Sequence, residues 1–415
     1  MSIKILVCGV EIPPPYGGMA KRVLLHTREW VSEGNRVYFL TSRKKENEDA
    51  LDVSINLLYE QSSSAVKWLL SCFLKNPNLF LKALSMSLLY NVTDLRHLLG
   101  FSAFAVRFNE VLDEIQPDIV NAHHAFGKSF IAMLICKKKG IPVVLTSYSE
   151  MLWWKEKEGE KSWAERYDKM FKYVAKNSAH IISPSAHCAK GPLKYVSEDK
   201  VTVVYSGIDI QTYEKYLEIK KEEAKNKIGL KNKKIALFVG QLHWRKGPQF
   251  LAKTAPKIVE EIPDSRIVFV GSDLGMKKEI EKITDDVKEN ILFMDSVSEE
   301  DLPLYIRAAD ILIFPSITES ECMGMSMKEA MLLETPVIGF KIAGIPEAVI
   351  DGKTGFLVEV GDYEMLANKT VECLKKEESI RELGENAKIR ALELFDSRIT
   401  GRGSLEIINE HLHEI

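Results

Sequence analysis

The stretch PSITESECMGMSMKEAMLLETPV, residues 315–337, decides how this chain folds. A continuous apolar run, 310–314, precedes it and ends at Phe314. A Pro-Ser turn follows. Gly324 then opens a segment of helical period through Met325–Leu333, and a second apolar run, 336–340, comes after it. Continuous apolar runs bounded by turn residues read as strands buried on both faces of a parallel sheet. Strand, turn, helix and strand in this order are the repeating element of an α/β layer fold.

The same alternation runs outward in both directions. Candidate strands are 3–9, 36–41, 118–122, 142–146, 179–183 and 201–205, then 235–239, 266–270, 290–294, 310–314, 336–340 and 356–358. Helical periods lie between them, for example at 19–33, 127–139 and 325–334. This predicts doubly wound parallel sheets. The Lys- and Glu-rich stretch 211–233 breaks the pattern, and IALFVG begins a second series. The expected organisation is a first domain over 1–207, a linker over 208–233, a second domain over 234–395, and a closing helix, 396–415, that crosses back to the first domain. Residues 62–108 depart from the alternation. They carry many Leu, Phe, Trp and Met with Lys67, Lys75, Lys82, Arg96 and Arg107 among them. They read first as amphipathic helices packed on the first domain, and second as a surface touching a membrane or a lipid-linked acceptor.

Composition narrows the class. The 415 residues exceed one ordinary domain, and 46% hydrophobic with 28% charged residues is the balance of a soluble globular chain. A net charge of -3 gives no field to draw in nucleic acid. The six cysteines, at 8, 72, 136, 188, 322 and 373, form no CxxC pair and read as small buried residues of a reducing compartment. Residues 3–10 read as a buried strand rather than a leader, and no run is long enough to span a membrane. A cytoplasmic protein is expected, with the inner face of the membrane as its place if 62–108 makes a peripheral contact.

Three segments carry chemistry. In 315–337, backbone N–H groups at the start of a helix suit phosphate oxygens. Glu329, about one turn inside, suits the two ribose hydroxyls, and Glu321 precedes the helix within reach of a sugar. The pattern alone equally fits a surface helix whose acids favour its N-terminal dipole. In PPYGGMAKRV (14–23), Gly17 and Gly18 follow the first strand, where paired glycines let backbone approach a ligand closely. In DIVNAHHAF (118–126), His123 shares a strand face with Asn121 while His124 faces the other way. No acid or cysteine is spaced to complete a metal site.

Residues 315–338 closely resemble the signature of the retaining glycosyltransferases of family 4, which have the fold called GT-B. IALFVGQLHWRKG (235–247) resembles that family's strand-loop segment, and RIVFVG, ILFMDSVSEEDLPLYIRAADILIFPS and GIPEAVIDGKTGFLV follow its order of elements. The resemblance covers nearly all of the chain from about 180 onward and is looser before it. It implies two Rossmann-like domains across a cleft, with a nucleotide-sugar donor bound by the second and a glycan or lipid-linked acceptor on the first. Carried over by residue, it implies His123, Lys246 and Glu321 as catalytic groups. The implied donor site is Gly17, Gly18, Gly240, Gln241, Arg245, Lys246, Met323, Gly324, Met325 and Glu329. Lys246 would meet the charge that builds on the leaving diphosphate. Gln241 stands where the family usually has Arg, and Arg245 is the expected compensating cation. Tyr148 stands where a His is frequent, and Tyr205-Ser206-Gly207 where Pro-Asn-Gly is. The implied reaction retains configuration by front-face substitution, with no metal and no cofactor besides the substrate nucleotide sugar. Two other readings share the architecture: a nucleotide-sugar epimerase, and a non-catalytic homologue that binds a nucleotide sugar or scaffolds a partner.

Overall fold

The computed structural model describes residues 2–10, 18–41, 56–59, 65–152, 159, 161–295, 297–298 and 300–413. The chain forms two compact units, Met1–Gly207 with Ser397–Ile415, and Ile208–Asp396.

The first unit is built on strands β1 (Lys4–Cys8), β2 (Arg36–Thr41), β3 (Asn56–Tyr59), β4 (Ile119–His123), β5 (Val143–Thr146), β6 (His180–Ser183) and β7 (Val201–Val203). They pair in the order β3-β2-β1-β4-β5-β6-β7, all parallel. The order reverses between β1 and β4, so the crevice beyond the carboxyl ends of these two strands is where such a sheet accepts ligands. One face packs Phe104, Phe108, Phe130 and Phe171 into a large apolar core, and the other packs Val23 and Trp30 with Leu405 and Ile408. Those last two residues belong to the helix Ser397–Glu410, which lies on the helix Gly18–Ser32. The Trp30 indole N–H donates to the Gly401 carbonyl at 3.1 Å and the Ser404 hydroxyl at 3.0 Å, fixing the contact.

The second unit holds β8 (Lys234–Val239), β9 (Ser265–Val270), β10 (Ile291–Met294), β11 (Ile311–Phe314), β12 (Val337–Phe340) and β13 (Gly355–Val358). The order is β10-β9-β8-β11-β12-β13, again parallel throughout, with its reversal between β8 and β11.

One expectation changes, and the reading of 62–108 as amphipathic helices packed on the first unit holds. Residues 208–233 are no linker: they fold into the helices Ile210–Leu217 and Lys221–Lys227 within the second unit. Most lysines of this stretch are exposed, but Lys225 is buried. Lys225 pairs with Asp310 at 3.1 Å, and the Asp310 carboxylate also accepts the Ile235 N–H at 2.7 Å. Lys221 donates to the Ala309 carbonyl, and burial pushes its ammonium down to about 8. Within the 62–108 segment, the helix Leu95–Ile115 enters the core through Phe101, Phe104, Phe108 and Leu112. The helices Ala65–Lys75 and Pro77–Leu89 bury only part of their apolar surface.

Candidate active site

The reversal between β8 and β11 collects most of the residues named from the sequence. β8 runs into Gly240, Gln241 and Leu242, and a single 3-10 turn, Trp244–Lys246, follows. β11 runs into Pro315 and Ser316. Gly247 closes the turn at φ 73°, and a side chain there would meet the Pro315 carbonyl at 1.8 Å. Only glycine lets the two loops approach this closely. The Arg245 carbonyl accepts the Ile317 N–H at 3.0 Å and the Ser316 hydroxyl at 3.3 Å, stitching the loops together.

This packing brings the Lys246 ammonium to 2.6 Å from the Glu321 carboxylate. The same carboxylate oxygen accepts the Ser316 hydroxyl at 3.0 Å. The carboxylate is buried and the ammonium is 39% exposed, so the pair presents a cation at the surface over an anchored base. Partial burial, with the charges of Arg245 and Lys246, pushes the His243 imidazole below its ordinary value, as expected beside two cations. The Arg245 guanidinium lies 5.6 Å over the Trp244 ring, next in chain to Lys246. Gln241 is exposed at the end of β8.

Gly324 caps the helix Met325–Leu332, and a Cβ on it would meet the Phe314 ring at 2.2 Å. The Ser326 hydroxyl donates to the Val239 carbonyl at 3.1 Å, so the helix start is tied to the end of β8. Met323 is buried and Met325 half-buried. Glu329 sits in the second turn of this helix with its side chain buried. Lys246, Glu321, Gly324, Met325 and Gln241 thus cluster at the carboxyl ends of β8 and β11. Ser316 and Gly247 complete the arrangement and are not among the residues singled out from the sequence. The Ser of the Pro-Ser turn and the Gly after Lys246 were their signals.

In the first unit, His123 ends β4 and is 3% exposed. A hydrogen bond of 2.9 Å joins its Nδ1 to the Tyr148 hydroxyl, which also accepts from Arg22 at 3.4 Å. Among the described residues His123 Nε2 has no hydrogen-bond partner. Burial, with the Arg22 and His124 charges, holds this imidazole well below its ordinary value, so it is neutral. The neighbouring His124, at φ 63°, is the half-exposed histidine, and its Nδ1 lies 3.6 Å from the Glu150 carboxylate. Burial alone would raise the Glu150 carboxyl, but His124 and the backbone N–H of Ala125 outweigh it and keep the acid ionised. Strand alternation sets Asn121 and His123 on one face of β4, and both faces of that strand are buried. Gly18 opens the helix Gly18–Ser32, while Gly17 lies outside the described residues. Among the described residues no group of three or more His, Cys, Asp or Glu is placed to hold a metal ion.

Two parallel α/β units, each with a ligand crevice at its strand reversal, define the GT-B class of fold. Solved structures agree: the Anabaena protein HepE in complex with UDP superposes with a TM-score of 0.73 at 17% identity, covering 99% of this chain and 100% of that one. Residues 16–212 match the model of Glycosyltransferase Family 4 and residues 220–390 that of Glycosyl transferases group 1, and the two matches together support a group 1 / family 4 glycosyltransferase. An uncharacterized glycosyltransferase of Methanocaldococcus jannaschii is 29% identical over 72% of this chain and 79% of its own length. Spore coat protein SA of Bacillus subtilis is 30% identical over 48% of this chain and 56% of its own. The match spans about half the length of that relative and of several curated D-inositol 3-phosphate glycosyltransferases.

Proposed function

We propose that this protein transfers a hexosyl group, with retention of configuration, from a nucleotide-diphosphate sugar to the hydroxyl of a glycan or lipid-linked acceptor. The observation that carries the reading is the Lys246–Glu321 pair, 2.6 Å long, at the strand reversal of the second unit. A leaving diphosphate gathers negative charge as the glycosidic bond breaks, and a fixed cation lowers that barrier most when it needs no rearrangement. Glu321 and Ser316 hold Lys246 in place. The N–H groups at the start of Met325–Leu332 are the second phosphate-binding element, and Glu329 is the ribose partner. Together these supply the charge a divalent metal would otherwise bring, which supports metal-independent transfer. No carboxylate is assigned as a nucleophile, which favours front-face attack with the leaving diphosphate taking the acceptor proton. On the first unit, neutral His123 and Tyr148 are the groups that meet sugar hydroxyls. UDP is the favoured nucleotide, since the HepE structure contains it.

Melting curves with UDP, GDP and their sugar conjugates test the donor. A ligand at about 100 times its dissociation constant adds roughly 2.7 kcal/mol of stability. We expect one nucleotide sugar to raise the melting point with or without EDTA, and proton NMR of the product to show the donor's anomeric configuration. Inversion would overturn the mechanism. Binding without transfer to any acceptor would favour the non-catalytic reading, for which Gln241 is the supporting residue.

A further inference from the structure

The helix Ala65–Lys75 is apolar on two faces. Trp68 and Cys72 point into the unit, while Val66, Leu70, Phe73 and Leu74 form an outward stripe at helical spacing. The exposures are high: 68% for Val66, 57% for Leu70 and 76% for Leu74. Leu81, Leu88 and Leu89 continue the stripe on the helix Pro77–Leu89, and Leu95 extends it, at 66% exposure. Elsewhere the exposed large apolar residues of the chain are scattered, and scattered ones need no explanation. An outward apolar stripe across two consecutive helices does.

Charge says what covers it. Residues 65–93 contain Lys67, Lys75 and Lys82 and no Asp or Glu. Lys75 is paired with Glu110 at 2.8 Å, whereas Lys67 and Lys82 are exposed with no acidic partner among the described residues. A recess of about 710 Å³ opens along Pro77–Leu89, walled by Leu79, Met86, Ile131 and Ile135, with Lys82 and Lys138 also lining it. Over 65–93 the outward apolar side chains are interleaved with cations alone, the first acid being Asp94 beside Leu95, and this matches the boundary of an anionic bilayer, where tails take the leucines and headgroups the lysines. A partner protein would have to offer an apolar face ringed by acids. The stripe also has a direction. Beyond Leu88 and Leu89, Tyr90 packs on Phe130 at 4.7 Å, in the helix that follows β4 and His123. That end of the stripe therefore lies over the sheet face that carries Val120 and Ala122, opposite to the face of Asn121 and His123.

We propose that the outward face of Ala65–Lys75 and Pro77–Leu89 docks the protein on anionic lipid bilayers. This docking stands apart from the transfer reaction, and it is tested without measuring turnover. The full chain is sedimented with large vesicles of phosphatidylcholine alone, or with phosphatidylglycerol added, at low and high salt. Two exposed double variants accompany it, L70E/L74E and K67E/K82E, each checked for an unchanged melting curve. The wild type should bind the anionic vesicles at low salt, release at high salt and ignore pure phosphatidylcholine. Each lysine near such a surface contributes about fivefold to partitioning, so K67E/K82E should lower it by roughly twentyfold or more. L70E/L74E should not bind at all. Failure of the wild type to bind anionic vesicles would overturn the proposal. So would unchanged binding by both variants, or a dimer in solution that L70E/L74E dissociates.

Discussion

Lys246 and Glu321 depend on each other. Lys246→Ala removes the cation from the diphosphate and also leaves the buried Glu321 carboxylate with only the Ser316 hydroxyl. We expect a loss in kcat on the order of a hundred- to a thousandfold, the usual cost of removing one fixed group that stabilises developing negative charge. KM should change far less, and Lys246→Arg should recover part of the rate; steady-state kinetics with the donor that melting curves identify checks both. His123 makes a different kind of claim. Its imidazole is held neutral by burial, helped by Arg22 and His124, so its folded pKa lies below the unfolded one. As pH falls, the unfolded chain takes up the proton first, near pH 6.5, and the folded chain only later. The stability this residue contributes is complete above pH 6.5 and is lost as pH falls toward its folded value. Melting points between pH 8 and pH 5 should therefore drop more steeply in the wild type than in His123→Gln. Equal slopes would mean that the imidazole takes up its proton as readily in the fold as in the unfolded chain.

At the scale of elements, Asp310 links three pieces. It precedes β11, accepts the Ile235 N–H near the start of β8, and pairs with Lys225 on the helix Lys221–Lys227. Removing one partner of a buried pair strands the other, at a cost of about 3–5 kcal/mol, whereas replacing both by apolar groups is often close to neutral. Asp310→Ala should therefore lower stability by that order in urea unfolding, and D310A/K225M should regain much of it. If the double variant fares no better than the single one, the Ile235 hydrogen bond is the larger contribution. This pair also explains what the sequence concealed. Twelve strands were legible because most are continuous apolar runs, and the observed bounds differ by at most two residues. The strand Asn56–Tyr59 was not, because a four-residue edge strand reading NLLY has neither alternation nor a β-branched residue. The helices of 208–233 were read as a linker because their lysines look solvated, and only a carboxylate 85 residues away makes Lys225 a core residue. Lys246 and Glu321 were legible through the family resemblance, because the local pattern alone equally fits a surface helix; the structure brings them together with Gly324 at one strand reversal. The enclosure of His123 was not, since alternation names a face without saying what covers it.

The closing helix sets the scale of the whole molecule, because the chain leaves the first unit at Gly207 and returns to it at Ser397. The second unit is thus an insertion between two parts of the first. Leu405, Ile407 and Ile408 are buried against the face that carries Val23, Trp30 and Val37, and Gly401 approaches so closely that a Cβ there would meet Glu29 at 2.7 Å. Burying one such aliphatic side chain contributes roughly 1.5–3 kcal/mol, so three of them rival the total stability of an ordinary domain. Deleting residues 397–415 should accordingly unfold the first unit and spare the second, whose own core of Phe238, Leu251, Phe269 and Phe340 contains none of them. Hydrogen exchange should then show β1, β4 and β5 unprotected, while β8, β9 and β11 keep their protection. Gly401→Leu should reproduce the effect in the full-length chain by forcing the two helices apart. Protection lost equally in both sheets would show that the units fold as one. Protection kept in both would show that the first sheet does not rely on its last helix.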